Sequence, residues 1–175
     1  MPKLDLGCGI RKRPDAIGVD ILDFSKEYPE GEFRRCDIDN DDLPFDDDSM
    51  DGVYAHDILE HCHNLVHVME EMWRVCKAGS KIEIRVPHQN SEWAWGDPTH
   101  VRCFNQNTLM FFVRGYFRNG TTYDFDCDYD VEKTELTYDN FIQTVYIVVK
   151  PKRELKRWRR LDASTNKFNA DRKQL

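Results

Sequence analysis

The start of the chain admits few architectures. Leu4-Asp5-Leu6 runs directly into Gly7-Cys8-Gly9, and a second apolar segment, Ile17-Gly18-Val19-Asp20, follows after only seven residues. Short apolar runs bounded by glycine read as buried strands. A helical crossover between parallel strands needs at least about 10–12 residues, so the first connection is a loop or a shortened helix. Residues 32–36 and 52–55 are two further strand candidates. Each candidate ends near an acid or a small residue, where an α/β sheet places its ligand-binding loops.

Leu65, Val68, Met69, Met72, Val75 and Cys76 recur at helical spacing, which predicts one amphipathic helix stopped by Ala78-Gly79. Residues 81–86 alternate polar and apolar and read as a fifth strand ended by Pro87. Residues 105–113 read as a short helix. Residues 123–129 and 141–149 read as strands joined by a long hairpin connection. The pattern predicts an α/β domain over residues 1–150, with a mostly parallel sheet, helices on both faces, and the first crossover helix shortened or absent.

Charge separates this domain from its end. From Lys150 onward there are ten Lys/Arg and three Asp/Glu, whereas the whole chain carries −7. Residues 151–175 therefore read as a basic tail, helical or partly disordered, and its plain reading is a solvated terminus. The acidic body repels phosphates, so nucleic acid is not the expected partner. No apolar run approaches the roughly 20 residues of a membrane span, and the N-terminus lacks a secretory pattern. The six cysteines form no CxxC pair and lack zinc-site spacing. They read as reduced thiols in a cytoplasmic protein.

The glycine turn lets backbone approach a ligand closely, because no Cβ intervenes. Asp20, ending the second strand, can accept two hydrogen bonds from a ribose diol. Asp37 repeats the design for an adenine amine, and Ile21, Ile38 and Leu43 can sandwich the base.

Asp5-Leu6-Gly7-Cys8-Gly9 resembles motif I of the class I S-adenosylmethionine-dependent methyltransferases. Asp37, then Leu43-Pro44-Phe45-Asp46 and Ser49-Met50-Asp51-Gly52-Val53, resembles their small-molecule branch, as do Leu59-Glu60-His61 and the segment from Trp73 to Gly79. The likeness runs from about residue 4 to residue 87. It implies a Rossmann-like fold, S-adenosylmethionine as methyl donor and S-adenosylhomocysteine as product. Position by position, it implies that Asp5 holds the methionine amino group and that Gly7, Cys8 and Gly9 line the methionine and ribose. Asp20 and Ile21 would meet the ribose and base, Asp37 and Ile38 the adenine, and the His56 carbonyl the methionine ammonium. The chain departs from the pattern at Arg11, where a third small residue is common. A nicotinamide dinucleotide is disfavoured, since its acid would stand about 20 residues after the glycines, and Asp20 follows Gly9 by eleven.

The acceptor side is expected after the fifth strand. Asp97-Pro98-Thr99-His100 resembles an element of the same small methyltransferases. His100 is the expected base or acceptor-binding residue, Asp97 its orienting partner and His88 the second choice, with Trp93 and Trp95 as an acceptor wall. The equal alternative makes Asp97 a turn cap, His100 its structural partner and the tryptophans packing residues. Asp57, Glu60 and His61 stand too close in sequence for a convincing metal set, so no divalent metal is expected. The aspartates of residues 39–51 lack the glycine and final glutamate of a calcium loop.

The reading is a methyltransferase acting on a hydroxyl or amine of a small acceptor, sugar or cell-surface glycan precursors being the first candidates. A non-catalytic cofactor-binding scaffold is the alternative suggested by the missing crossover and lid helices. An RNA-associated methyltransferase using the basic tail is the third. Sheet surface left bare by absent helices would suit a homodimer.

Overall fold

The computed structural model describes residues 2–113, 125–137 and 142–149. The expected basic tail lies outside them. Seven strands form one sheet: β1 (Lys3–Leu6), β2 (Ala16–Asp20), β3 (Phe33–Arg35), β4 (Met50–His56), β5 (Cys76–Pro87), β6 (Tyr129–Thr137) and β7 (Ile142–Val149). Their spatial order is β3-β2-β1-β4-β5-β7-β6. The first five pair in parallel, and β7 runs antiparallel between β5 and β6. This is the Rossmann-like α/β architecture that the sequence predicts.

Helix α1 (Leu65–Val75) forms where the apolar spacing placed it. Asn64 caps its start by accepting from the His67 backbone N–H at 3.4 Å. Its buried face carries Val68, Met69, Met72 and Val75, packed with Leu4, Leu6, Val53, Ala55, Ile82 and Ile84 from the sheet. Alternation along the strands turns these apolar residues to one side. The opposite side carries Asp5, Tyr54, His56, Glu83 and Arg85. There Lys3 pairs with Asp15 at 2.8 Å, His56 with Glu83 at 2.8 Å, and Arg85 with Asp57.

No helix joins β1 to β2, as the short spacing predicts. The loop is held by polar contacts instead. Arg13 donates its backbone N–H to Asp5 Oδ2 at 2.6 Å, and Lys12 to the Tyr28 hydroxyl at 3.0 Å. The Tyr28 hydroxyl in turn donates to the Gly9 carbonyl at 2.7 Å.

The C-terminal strands differ from expectation at one point. Phe125 to Asp128 are not in a strand; β6 begins at Tyr129 and continues through the polar residues to Thr137. Phe125, Cys127 and Tyr129 alternate like a strand, but the first two pack on the core ahead of the ladder. The mostly exposed β6 is the sheet edge, where polar side chains are common. The short helix expected over 105–113 is a single 3-10 segment, Thr108–Phe112.

Candidate active site

Strand order reverses at β1, with β2 on one side and β4 on the other. A crevice opens outside the carboxyl ends of the strands at such a point. Here it is a cavity of about 250 Å³, and the expected residues Gly7, Asp20, Ile21, Asp37 and Ile38 all line it. Gly7 is required at the turn. Its φ is +66°, and a Cβ there would stand 2.8 Å from the Ile58 side chain. Gly9 also lies in the left-handed region and donates its N–H to Asp20 Oδ2 at 2.9 Å. The Leu22 N–H meets Asp20 Oδ1 at 3.0 Å. Asp20 is thereby locked in place, yet each carboxylate oxygen keeps a second acceptor site. Asp37 is fixed likewise, by the Asp39 N–H at 3.1 Å and the Asn40 side-chain amide at 2.9 Å. Two fixed carboxylates, an unencumbered glycine turn and the apolar Ile21, Ile38 and Ile58 suit an adenosyl group.

The other expected cofactor residues lie behind this wall. Asp5 is buried and takes the Arg13 N–H, and burial raises its pKa above the usual carboxylate value. The Cys8 thiol is buried against Gly18, where a Cβ would come within 2.7 Å of the sulfur, and burial pushes its pKa up to about 11. The His56 ring faces the polar side of the sheet, 3.0 Å from Arg13 Nη2 at Nδ1 and 2.8 Å from Glu83 at Nε2. Burial, then Arg13 and Arg85, hold its pKa below the ordinary histidine value.

The loop after β5 meets the loop after β4 at the same end of the sheet. His61 Nδ1 stands 3.1 Å from Thr99 Oγ1, and the Val101 N–H donates to the Glu60 carbonyl at 2.9 Å. The Arg102 guanidinium donates to the carbonyls of Cys62 and His63. The His61 and His100 rings meet edge to face at 4.7 Å. Asp97 takes both the N–H and the hydroxyl of Thr99 on Oδ1, and its Oδ2 lies 3.9 Å from His100 Nε2. His88 is buried, with Asn90 donating to its Nδ1 at 3.3 Å. Trp93 and Trp95 sit on the short helix α2 (Glu92–Gly96), 61% and 75% exposed, and do not line the cleft.

A family described as "Methyltransferase domain" matches residues 4–84, the span that carries the glycine turn and both carboxylates. Over these residues the chain is similar to the class I S-adenosylmethionine-dependent methyltransferases. A search of curated proteins found no match. Solved structures share the fold. A SAM-dependent methyltransferase from Archaeoglobus fulgidus is 18% identical, with a TM-score of 0.57 over 84% of this chain and 85% of that one. One from Mesorhizobium loti is 14% identical, with a TM-score of 0.59 over 84% and 90%. A complex of the Haloferax volcanii Trm112 methyltransferase activator with a methyltransferase gives 18% identity and a TM-score of 0.59 over 86% and 83%. The protein is therefore an enzyme of the S-adenosylmethionine-dependent methyltransferase class.

The cleft also holds residues for which sequence reasoning predicts no cofactor role: Ile58 and His61 line it, together with Cys62. Their signal was present in Leu59-Glu60-His61, but a three-residue motif does not say which side chain turns inward. Asp57 leaves the cluster to pair with Arg85. Glu60 stays, 2% exposed, and burial pushes its carboxyl up to about 7.

Proposed function

We propose that this methyltransferase transfers a methyl group to a hydroxyl or amine of a small acceptor, with sugars and glycan precursors the first candidates. The observation that carries the cofactor half is the single cleft shared by Gly7, Asp20 and Asp37. S-adenosylmethionine supplies an electrophilic methyl on a sulfonium. Asp20 would accept from the ribose hydroxyls and Asp37 from the adenine amine. Asp5, Cys8, Gly9 and His56 would shape the methionine end from behind. At the mouth, His100 would orient the acceptor and take its proton, with Asp97 beside Nε2. Holding the two reactants in line supplies much of the rate in such a displacement.

The reading has a direct test. Hydrogen bonds to a charged group contribute about 1.5–3 kcal/mol each, and about 1.4 kcal/mol is tenfold in affinity. Calorimetry should therefore show S-adenosylmethionine binding to the wild type and at least about tenfold weaker binding to Asp20→Ala. Turnover against a panel of nucleotide-sugars, read as S-adenosylhomocysteine release, tests the acceptor class. His100→Ala should retain cofactor binding and lose turnover; unchanged turnover would remove His100 from the acceptor side. A cytoplasmic setting is part of the proposal, supported by Cys8, Cys36, Cys62 and Cys103, which stand as free thiols.

A further inference from the structure

We propose that Glu60 is a positioning residue for the acceptor side: its carboxylate accepts the Nδ1 proton of His100 and thereby presents Nε2 to the acceptor. The proposal rests on the reading of His100 as the acceptor-side base. Glu60 Oε2 and His100 Nδ1 are both buried polar atoms with no hydrogen-bond partner among the described residues. Glu60 is 2% exposed and the His100 side chain 7%. Buried polar groups are nearly always paired. A single proton held between these two atoms would satisfy both.

The geometry brings the two side chains close together. One side-chain polar atom from each of Glu60, His61 and His100 lies within 4.8 Å of the other two. The backbone fixes the approach, since the Val101 N–H next to His100 donates to the Glu60 carbonyl. Hydrogen bonds of this kind often tighten only when the reactants are in place.

The neighbouring groups hold other positions. Asp97 binds Thr99 through Oδ1 and stands near Nε2, the opposite ring nitrogen, at the half-open side where an acceptor would arrive. His61 is tied to Thr99. Asp57 is paired with Arg85. Asp57 and Asp97 raise the Glu60 carboxyl and Arg85 lowers it, while burial dominates and sets it at about 7. Above neutral pH the carboxylate is ionised and able to accept.

The proton balance is complete. The acceptor O–H bond breaks and its proton goes to Nε2 of His100. The ring is then positive and donates Nδ1–H to the Glu60 carboxylate. The freed oxygen pair forms the bond to the methyl carbon, and the carbon–sulfur bonding pair returns to sulfur.

Nitrogen-15 histidine spectra of the full chain at pH 8.5 test the idea without an acceptor. His100 should be the Nδ1–H tautomer in the wild type and in Glu60→Gln, which keeps an oxygen acceptor. In Glu60→Leu it should change to the Nε2–H tautomer. Conversely, His100→Leu should raise the Glu60 carboxyl titration, followed by carbon-13, by about one unit or more, because a donor to the charged form is lost. An unchanged tautomer in folded Glu60→Leu, or an unchanged Glu60 titration in His100→Leu, overturns the proposal. Should Glu60→Leu fail to fold, the titration decides alone. Neither readout requires S-adenosylmethionine, so failure here is distinct from failure of the cofactor reading.

Discussion

Gly7 and Gly9 share a left-handed backbone but differ in what surrounds them. A side chain at φ near +60° costs roughly 1–2 kcal/mol. At Gly9 that is the whole cost, since a Cβ meets nothing within 4 Å. At Gly7 the Cβ also collides with Ile58 at 2.8 Å, on the wall of the cleft. Gly7→Ala should therefore lose more stability than Gly9→Ala in urea unfolding, by about 1–3 kcal/mol of overpacking, and should weaken cofactor binding in calorimetry. Equal losses would mean that Ile58 yields freely. Glu60 makes a second residue-scale prediction. Its pKa is raised in the fold, so the folded chain binds more protons than the unfolded one between about 4.5 and 7. Its contribution to stability is present below that window and lost as pH rises through it. The unfolding free energy of wild type minus Glu60→Gln should fall by about 3 kcal/mol from pH 4 to pH 8, at about 1.4 kcal/mol per unit. The glycines and the acids were legible because turn geometry and ligand chemistry leave few residue choices. The role of Glu60 was not, because burial is set by packing from distant segments.

The element that departs most from a usual doubly wound sheet is the loop between β1 and β2. Its lack of a helix was legible from seven residues of spacing; the polar face behind it was not, since helices were expected on both faces of the sheet. Asp5, Tyr54, His56, Glu83 and Arg85 occupy the strand positions that alternate with the apolar core. A face on which no helix of the described residues packs can carry ion pairs instead of Val or Leu. What the spacing did not show is how the loop is fastened. Tyr28 does much of this: its hydroxyl receives the Lys12 N–H and donates to the Gly9 carbonyl. Lys12 itself keeps a nearly buried ammonium 2.8 Å from Glu32. Tyr28→Phe removes both hydroxyl bonds and should cost about 1–3 kcal/mol in denaturant unfolding. Hydrogen exchange should rise at the Lys12 and Arg13 amides while α1 stays protected. Unchanged exchange in the loop would show that Lys12–Glu32 and Asp5–Arg13 suffice. The β6 boundary was misread because Phe125, Cys127 and Tyr129 alternate for packing, whereas the ladder lies in polar residues with weak intrinsic strand character.

At the scale of the molecule, sheet order explains why the two halves of the site separate in sequence and function. Of the carboxylates proposed for the cofactor, Asp20 ends β2 and Asp37 lies in the turn after β3, on one side of the switch point. The residues proposed for the acceptor side follow β4 and β5, on the other. Glu60 and His100 are far apart in the chain, yet parallel pairing of β4 with β5 sends both following loops to the same end of the sheet. Single-sequence reading found each loop but had no register with which to join them. The joint itself is specific: Arg102 donates to the Cys62 and His63 carbonyls, beside the Val101–Glu60 and Thr99–His61 contacts. Arg102→Ala should therefore cost about 2–3 kcal/mol of stability, because a charge-assisted bond to each carbonyl disappears. Hydrogen exchange should rise across residues 97–104. S-adenosylmethionine affinity should change little, since Asp20 and Asp37 are held by local bonds that the loop does not touch. Acceptor turnover should fall together with the loop's protection. A variant that loses cofactor affinity as steeply as turnover would show instead that the two sides of the switch point behave as one unit, and that the loop after β5 belongs to the cofactor pocket.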